Sequence, residues 1–350
     1  MKQGGGILAL NRRIKDVINL AEIRQLAIEQ LLTFGVVIPF DNKIHLFHGR
    51  MSDKDEKFVV KTNFNNAGQT PDHYNVNAIP GMHASTFFIA EKYAQRRTSD
   101  FYSKQTKLPA NLPSDKVYEI VGKSNNLMFI DVCKFLQIEE LEPYLSNIYK
   151  IPQEQIEQLK KNILSTANQQ KMQQVWSTLI STFTIPQLMP NLFNNEASSK
   201  IFKDLNKICL EKQKLNQPAV VTDNECEKYI AKRSKDNIPS QLIEDICGSI
   251  NVYYMLKQQG GIATLVSKLQ SDFNFTDNCT LNLNLFKSFL TQLNIIGFHQ
   301  KIWFSEIVDE KNFDDYFIFD TSKINTKQMV KKQQKTNSAQ TDAQVLSKKL

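Results

Sequence analysis

Three short stretches hold the side chains best suited to chemistry near neutral pH. IHLFHGR (44–50) ends an alternating run in His48-Gly49-Arg50, PGMHASTFFIAEKYA (80–94) carries His83, Ser85, Thr86 and Tyr93, and FDDYFIFDTSKI (313–324) carries the carboxylate pair Asp314-Asp315. Imidazoles and carboxylates accept, hold and pass protons at physiological pH, so together they suit a site that grips a polar ligand and stabilises developing charge. Glu119 in VYEIV and Glu306 in WFSEIV are alternative acids. Each residue also has a plainer account. His48 can cap a turn, Gly49 can supply a turn with φ > 0, Tyr93 can be core packing, Ser85 and Thr86 can be ordinary strand residues, and His83 can face water.

At 350 residues and 41% hydrophobic content the chain can bury a core of one large or two ordinary domains. Its formal charge of +7 is concentrated at one end: seven lysines stand against one aspartate from residue 323 onward, leaving residues 1–322 at about +1. That distribution argues against a nucleic-acid groove. The lysine-rich end has no aromatic residue after Phe319 and few large apolar ones, so disorder is expected over residues 326–350. The cysteines, Cys133, Cys209, Cys226, Cys247 and Cys279, form no CxxC pair, which disfavours a zinc site or a disulfide framework and suits free thiols in a reducing cytosol. No apolar run is long enough for a membrane span. The apolar stretch in MKQGGGILAL is too short for a conventional signal peptide. A cytoplasmic location is expected, or export into a host cell by another route.

These residues need elements to hold them. Ile14, Val17, Leu20, Ile23, Leu26, Ala27 and Leu31 recur at three and four, predicting an amphipathic helix over 11–34 stopped by Gly35. Strand-like runs come next: GVVIPF, IHLFHGR, KFVVKTNF and GMHASTFF, then a helix start at IAEKYAQRR, then two short strands in KVYEIVGKSNNLMFIDV joined by a polar turn. From about residue 135 to 289 the pattern is helical, and strand chemistry returns in NIIGFHQKIWF and DDYFIFDTSKI with EIVDEKNF between them as a turn. The late strands have no neighbours in sequence to pair with, so they are expected to rejoin the early ones around a helical insertion. The expected layout is an N-terminal helix (1–36), an α+β core (37–134 and 290–325), a helical lobe (135–289) and the basic tail (326–350).

Taken in order, these stretches resemble the ADP-ribosyltransferase fold, in the histidine-type branch that contains poly-ADP-ribose polymerases and many bacterial toxins. His48-Gly49 stands where that family has a strand ending in HG. Pro80 to Ala94 is similar to its glycine, small-residue strand and following helix, with Ala90 to Tyr93 as its Ala-x-x-Tyr. Phe313 to Ile324 resembles its terminal acidic-Tyr strand, and VYEIVGKSNNLMFIDV its middle strands. The likeness covers residues of about 40–135 and 290–325, somewhat over a third of the chain, and implies a split-sheet core. The implied reaction breaks the bond between nicotinamide and ribose in NAD through a cationic, oxocarbenium-like sugar. By that resemblance His48 bonds ribose hydroxyls, Gly49 offers backbone groups to the carboxamide, Tyr93 stacks on nicotinamide, and Asp315 bonds the ribose. Arg50, His83, Ser85 and Thr86 line the dinucleotide site, and Glu119 is the alternative acid.

Two departures narrow the implication. Asp315 replaces the usual glutamate, and His83 stands where polymerases have the first of two tyrosines, so transfer of a single unit is favoured over polymer synthesis. The reading is an NAD-dependent mono-ADP-ribosyltransferase of the glycosyltransferase class, with NAD as substrate and no metal. Its target is expected to be a host protein recognised by the helical lobe, as for a secreted bacterial effector, toxin or virulence factor; the richness in Lys, Asn, Gln and Ile is compatible with that. Other readings remain: a degraded transferase fold that binds proteins, an NAD glycohydrolase, or an RNA 2′-phosphotransferase-like enzyme. The last relies on several basic residues near its histidine, where this chain offers Arg50 alone. Other enzyme classes lack support, since the chain has no GxGxxG, GxxxxGK(S/T), HExxH or GxSxG motif.

Overall fold

A computed structural model describes residues 5–41, 43–52, 81–103, 114–135, 138–147, 150–258, 260–270, 281–305 and 310–329. KFVVKTNF, Glu306, Cys279 and all but the first residues of the basic tail lie outside the described residues.

The first helix, α1 (Gly5–Thr33), forms where the apolar spacing predicts and ends where Gly35 takes a left-handed φ of +63°. Its Ala27 and Leu31 are buried against the helical lobe. Strands β1 (Val37–Pro39), β2 (Leu46–Ser52) and β3 (Met82–Ala84) come next, then α2 (Phe87–Ser103), β4 (Ser114–Gly122) and β5 (Met128–Asp131). The lobe runs through α3 (Ile138–Asn147), α4 (Gln153–Asn162), α5 (Thr166–Ser181), α6 (Ile185–Leu188), α7 (Glu196–Lys214), α8 (Asp223–Arg233), α9 (Ser240–Lys257), α10 (Gly261–Gln270) and α11 (Leu283–Gln292). The chain returns to strand with β6 (Ile295–Ser305), β7 (Glu310–Ile318) and β8 (Ile324–Met329). The fold is α+β.

Among the described residues the strands make a five-stranded sheet, β1-β5-β6-β7-β3, and a three-stranded one, β2-β4-β8. The late strands rejoin the early ones. β5 and β6 are parallel neighbours, and the whole lobe is the crossover between them, as a parallel pair requires a long connection. The two strands of KVYEIVGKSNNLMFIDV form, yet they are not a hairpin: β4 joins the small sheet and β5 the large one. One bridge, Phe47 to Ser85, with hydrogen bonds of 2.8 and 2.9 Å, stitches β2 of the small sheet to the end of β3 in the large one.

Alternation along β7 divides the core in two. Tyr316 and Ile318 point into a layer between the sheets with Phe40, Leu46, Met82, Phe129 and Ile324, while Phe317 and Phe319 point into the lobe with Trp176, Phe286 and Phe289. The large sheet therefore has apolar cover on both faces, and its polar residues are confined to where that cover ends.

Several boundaries differ from expectation, each for a local reason. The HG of IHLFHGR is not a strand end. β2 continues to Ser52 because Gly49 to Ser52 pair with Val117 to Ser114 of β4. GMHASTFF is a strand only to Ala84: Thr86 starts α2, its carbonyl accepting from Ala90 N (3.0 Å) and its hydroxyl from Ile89 N (3.4 Å). The expected turn EIVDEKNF is strand from Glu310 onward, paired with Ser305. Residues 326–329, expected within a disordered tail, are instead ordered: residues 324–329 form β8 on β4. Cys133, Cys209, Cys226 and Cys247 are free thiols.

Candidate functional site

β2 carries His48 on the small sheet, and β3 carries His83 on the edge of the large one. The Phe47–Ser85 bridge brings the two strands together. His48 Nδ1 donates to the carbonyl oxygen of His83 (2.6 Å), since a carbonyl can only accept. That bond leaves Nε2 as the ring's lone-pair nitrogen. Desolvation lowers the pKa of His48 to about 4, opposed by the hydrogen bond to the His83 carbonyl and by the Asp315 charge, with the nearby Arg50 acting in the same direction as burial. His48 is therefore a neutral imidazole at physiological pH, able to accept a hydrogen bond from a hydroxyl.

His83 Nδ1 in turn donates to Asp315 Oδ2 at 2.8 Å, and Gln300 Nε2 donates to the same oxygen at 2.8 Å from the adjacent strand β6. Register explains the meeting: His83 faces Phe317, and Gln300 faces Asp315 directly. Asp315 is buried, with a side chain 8% exposed, whereas the His83 side chain is 62% exposed. A buried carboxylate holding an exposed imidazole by Nδ1 is the arrangement of an Asp-His pair in acid–base catalysis. The His83 ring also lies 5.2 Å from Phe317.

Gly49 has a packing reason to be glycine. A Cβ there would sit 1.7 Å from Ala90 O and 3.1 Å from Ala94 N, so the backbone of α2 rests directly on β2. A left-handed turn is not involved: among the described residues Gly35 and Gly260 are the glycines with positive φ. Lys92 pairs with Glu310 and so fixes α2 to β7 as well.

The other expected site residues have structural partners. Ser85 reinforces the junction, its hydroxyl donating to the Asp314 carbonyl. Thr86 is a helix-start residue. Tyr93 accepts a hydrogen bond from Arg97 (2.8 Å), whose guanidinium lies 5.1 Å from its ring, and none of these contacts is with His48 or Asp315. Glu119 points away from this cluster: it lies 3.9 Å from His45 and opposite Lys327 of β8. Of Asp315 and Glu119, the geometry puts Asp315, and not Glu119, with His48 and His83.

Asp314 faces the opposite side of β7 and belongs to a second cluster that spacing alone did not suggest. His299 Nε2 contacts Asp314 Oδ1 at 3.1 Å and Nδ1 contacts Asp131 Oδ1 at 3.3 Å, with Lys301 Nζ also 3.3 Å from Asp314. Burial works to lower the His299 pKa, but the two carboxylates outweigh it and hold it at about 9. The bond to His299 lowers the Asp314 pKa. The traceable signal was the HQK of β6 set against the DD of β7, a complementary cross-strand pattern.

This cluster makes stability depend on pH. The His299 contribution is complete below its ordinary 6.5 and is lost as pH rises through about 9; that of Asp314 is lost only as pH falls through the acid range. Thermal unfolding should thus show a melting temperature falling by several degrees between about pH 6.5 and 9.5, equivalent to about 2 kcal/mol. His299→Gln should flatten that decline; an unchanged slope would show that the cluster does not carry it.

No family model, curated protein or solved structure matches the chain.

Proposed function

We propose that the chain cleaves NAD and transfers a single ADP-ribose unit, at the junction where β3 links β2 to β7. The observation that carries this reading is the convergence of His48, His83 and Asp315, contributed by strands of two different sheets, into one hydrogen-bonded series. Breaking the nicotinamide–ribose bond develops positive charge on the sugar, and binding is productive when it is stronger for that charged state than for the substrate. Neutral His48 supplies an acceptor for a ribose hydroxyl, and Asp315 supplies the negative charge. The resemblance of IHLFHGR, GMHASTFFIAEKYA and FDDYFIFD to ADP-ribosyltransferase motifs supports the same assignment. His83 in place of an aromatic ring removes one stacking platform, which favours a single transfer over chain extension.

The helical lobe is the proposed surface for a protein acceptor, since it covers the face of the large sheet that carries Asp315. Among the described residues no helix is long and apolar enough to cross a membrane.

The reading is tested by incubating the purified chain with NAD labelled in the adenylate moiety, alone and with a host-cell lysate. A discrete labelled protein is expected with the wild type, and a loss of at least about 10-fold with His48→Ala. Equal labelling by wild type and His48→Ala would sink the assignment.

A further inference from the structure

Resting on the NAD reading above, we infer that His83 is the general base of the site, that Asp315 and Gln300 are its positioning residues, and that the acceptor is therefore an oxygen nucleophile that must shed a proton. Aspartate is one methylene shorter than the glutamate that the resemblance calls for. In this structure the carboxylate does not reach outward by itself: its Oδ2 is occupied by His83 Nδ1 and Gln300 Nε2, both at 2.8 Å. The imidazole restores the reach. With Nδ1 committed to the carboxylate, the neutral form of His83 carries its lone pair on Nε2, and the ring is mostly exposed while its partner is buried. Among the described residues, His48 and Arg50 on β2, Asp315 on β7 and Gln300 on β6 are polar groups around this imidazole.

The step balances without a further reactant. The nucleophile's oxygen forms a bond to ribose C1′ while the C1′–N bond of nicotinamide breaks, its electron pair returning to the pyridine nitrogen. The O–H proton passes to His83 Nε2, the resulting imidazolium is stabilised by Asp315, and the proton leaves to solvent. Water, a serine, threonine or tyrosine hydroxyl, or a sugar hydroxyl fits this chemistry. A side-chain carboxylate carries no proton to remove at neutral pH, and an arginine guanidinium holds its proton too tightly for an imidazole to take.

The test measures nicotinamide release and NAD affinity for the wild type, His83→Ala and His83→Gln. His83→Ala should bind NAD within about 3-fold of the wild type yet release nicotinamide about 100-fold more slowly, and added free imidazole should recover part of the rate. The product should be free ADP-ribose or a linkage that survives neutral hydroxylamine. Three results would overturn the inference: His83→Ala retaining activity within about 2-fold, loss of NAD affinity with no imidazole rescue, or a hydroxylamine-labile ester on a carboxylate side chain. A wild type that releases no nicotinamide defeats the NAD reading itself, whereas an active wild type with an active His83→Ala defeats only the role of His83.

Discussion

Asp315→Asn should bind NAD nearly as well as the wild type and turn it over about 10³-fold more slowly or worse, by analogy with Asp-to-Asn changes behind catalytic histidines. Asparagine keeps the volume and fills the same buried position. Its amide, however, offers Gln300 and His83 a neutral oxygen or a competing N–H donor. If the N–H turns toward His83, the imidazole is driven to the opposite tautomer, with its proton on Nε2, and it can no longer accept a proton there. If the oxygen turns toward His83, the tautomer is kept but the charge that stabilises the imidazolium is gone. Either way turnover should fall far more than affinity, because the loss falls on the charged transition state. Turnover within about 10-fold of the wild type would show that Asp315 is a structural residue of the strand.

Gly49→Ala should be a severely damaging small substitution, costing about 3 kcal/mol or more and lowering the melting temperature by about 4 °C or more. The added Cβ would lie 1.7 Å from the carbonyl oxygen of Ala90 and 2.6 Å from its carbon. The obstacle is helix backbone, not a side chain that can rotate away. To admit a methyl group, α2 must lift from β2, straining the Lys92–Glu310 pair and the T-shaped contact of Phe47 with Phe87 (5.5 Å). Those contacts set the angle at which β2 presents His48, so NAD affinity should fall along with stability. A melting temperature within about 2 °C of the wild type would mean that α2 does not rest on Gly49.

Much of this was legible in the residues themselves. The helix stopped by Gly35, the lobe, and the return of late strands to an early sheet all stem from periodicity and from the need of strands for partners. The candidacy of His48, His83 and Asp315 came from the motif resemblance; periodicity alone shows only that they stand at polar interruptions of apolar strands. What was not legible is pairing. VYEIV and LMFIDV have the same alternating look, and nothing local says that one joins β2 and β8 while the other joins β1 and β6. Residues 326–329 read as tail because lysines dominate the segment beyond them. A long neighbour, β4, makes a strand of them by satisfying their backbone groups. Gln300 and His299 carry no local signal, because a polar residue within a strand says little until the opposite strand is known. Only the register, Gln300 against Asp315 and Lys301 against Asp314, separates adjacent aspartates into two clusters on two faces. Thr86 and Tyr93, which the resemblance placed in the cofactor site, make a helix start and a contact with Arg97 that their types alone did not announce.

The most direct measurement is chromatographic detection of nicotinamide released from NAD by the purified chain, with His48→Ala alongside. Steady release by the wild type and its near loss in His48→Ala is the predicted result. No release and no measurable NAD binding by a folded wild type would contradict the account.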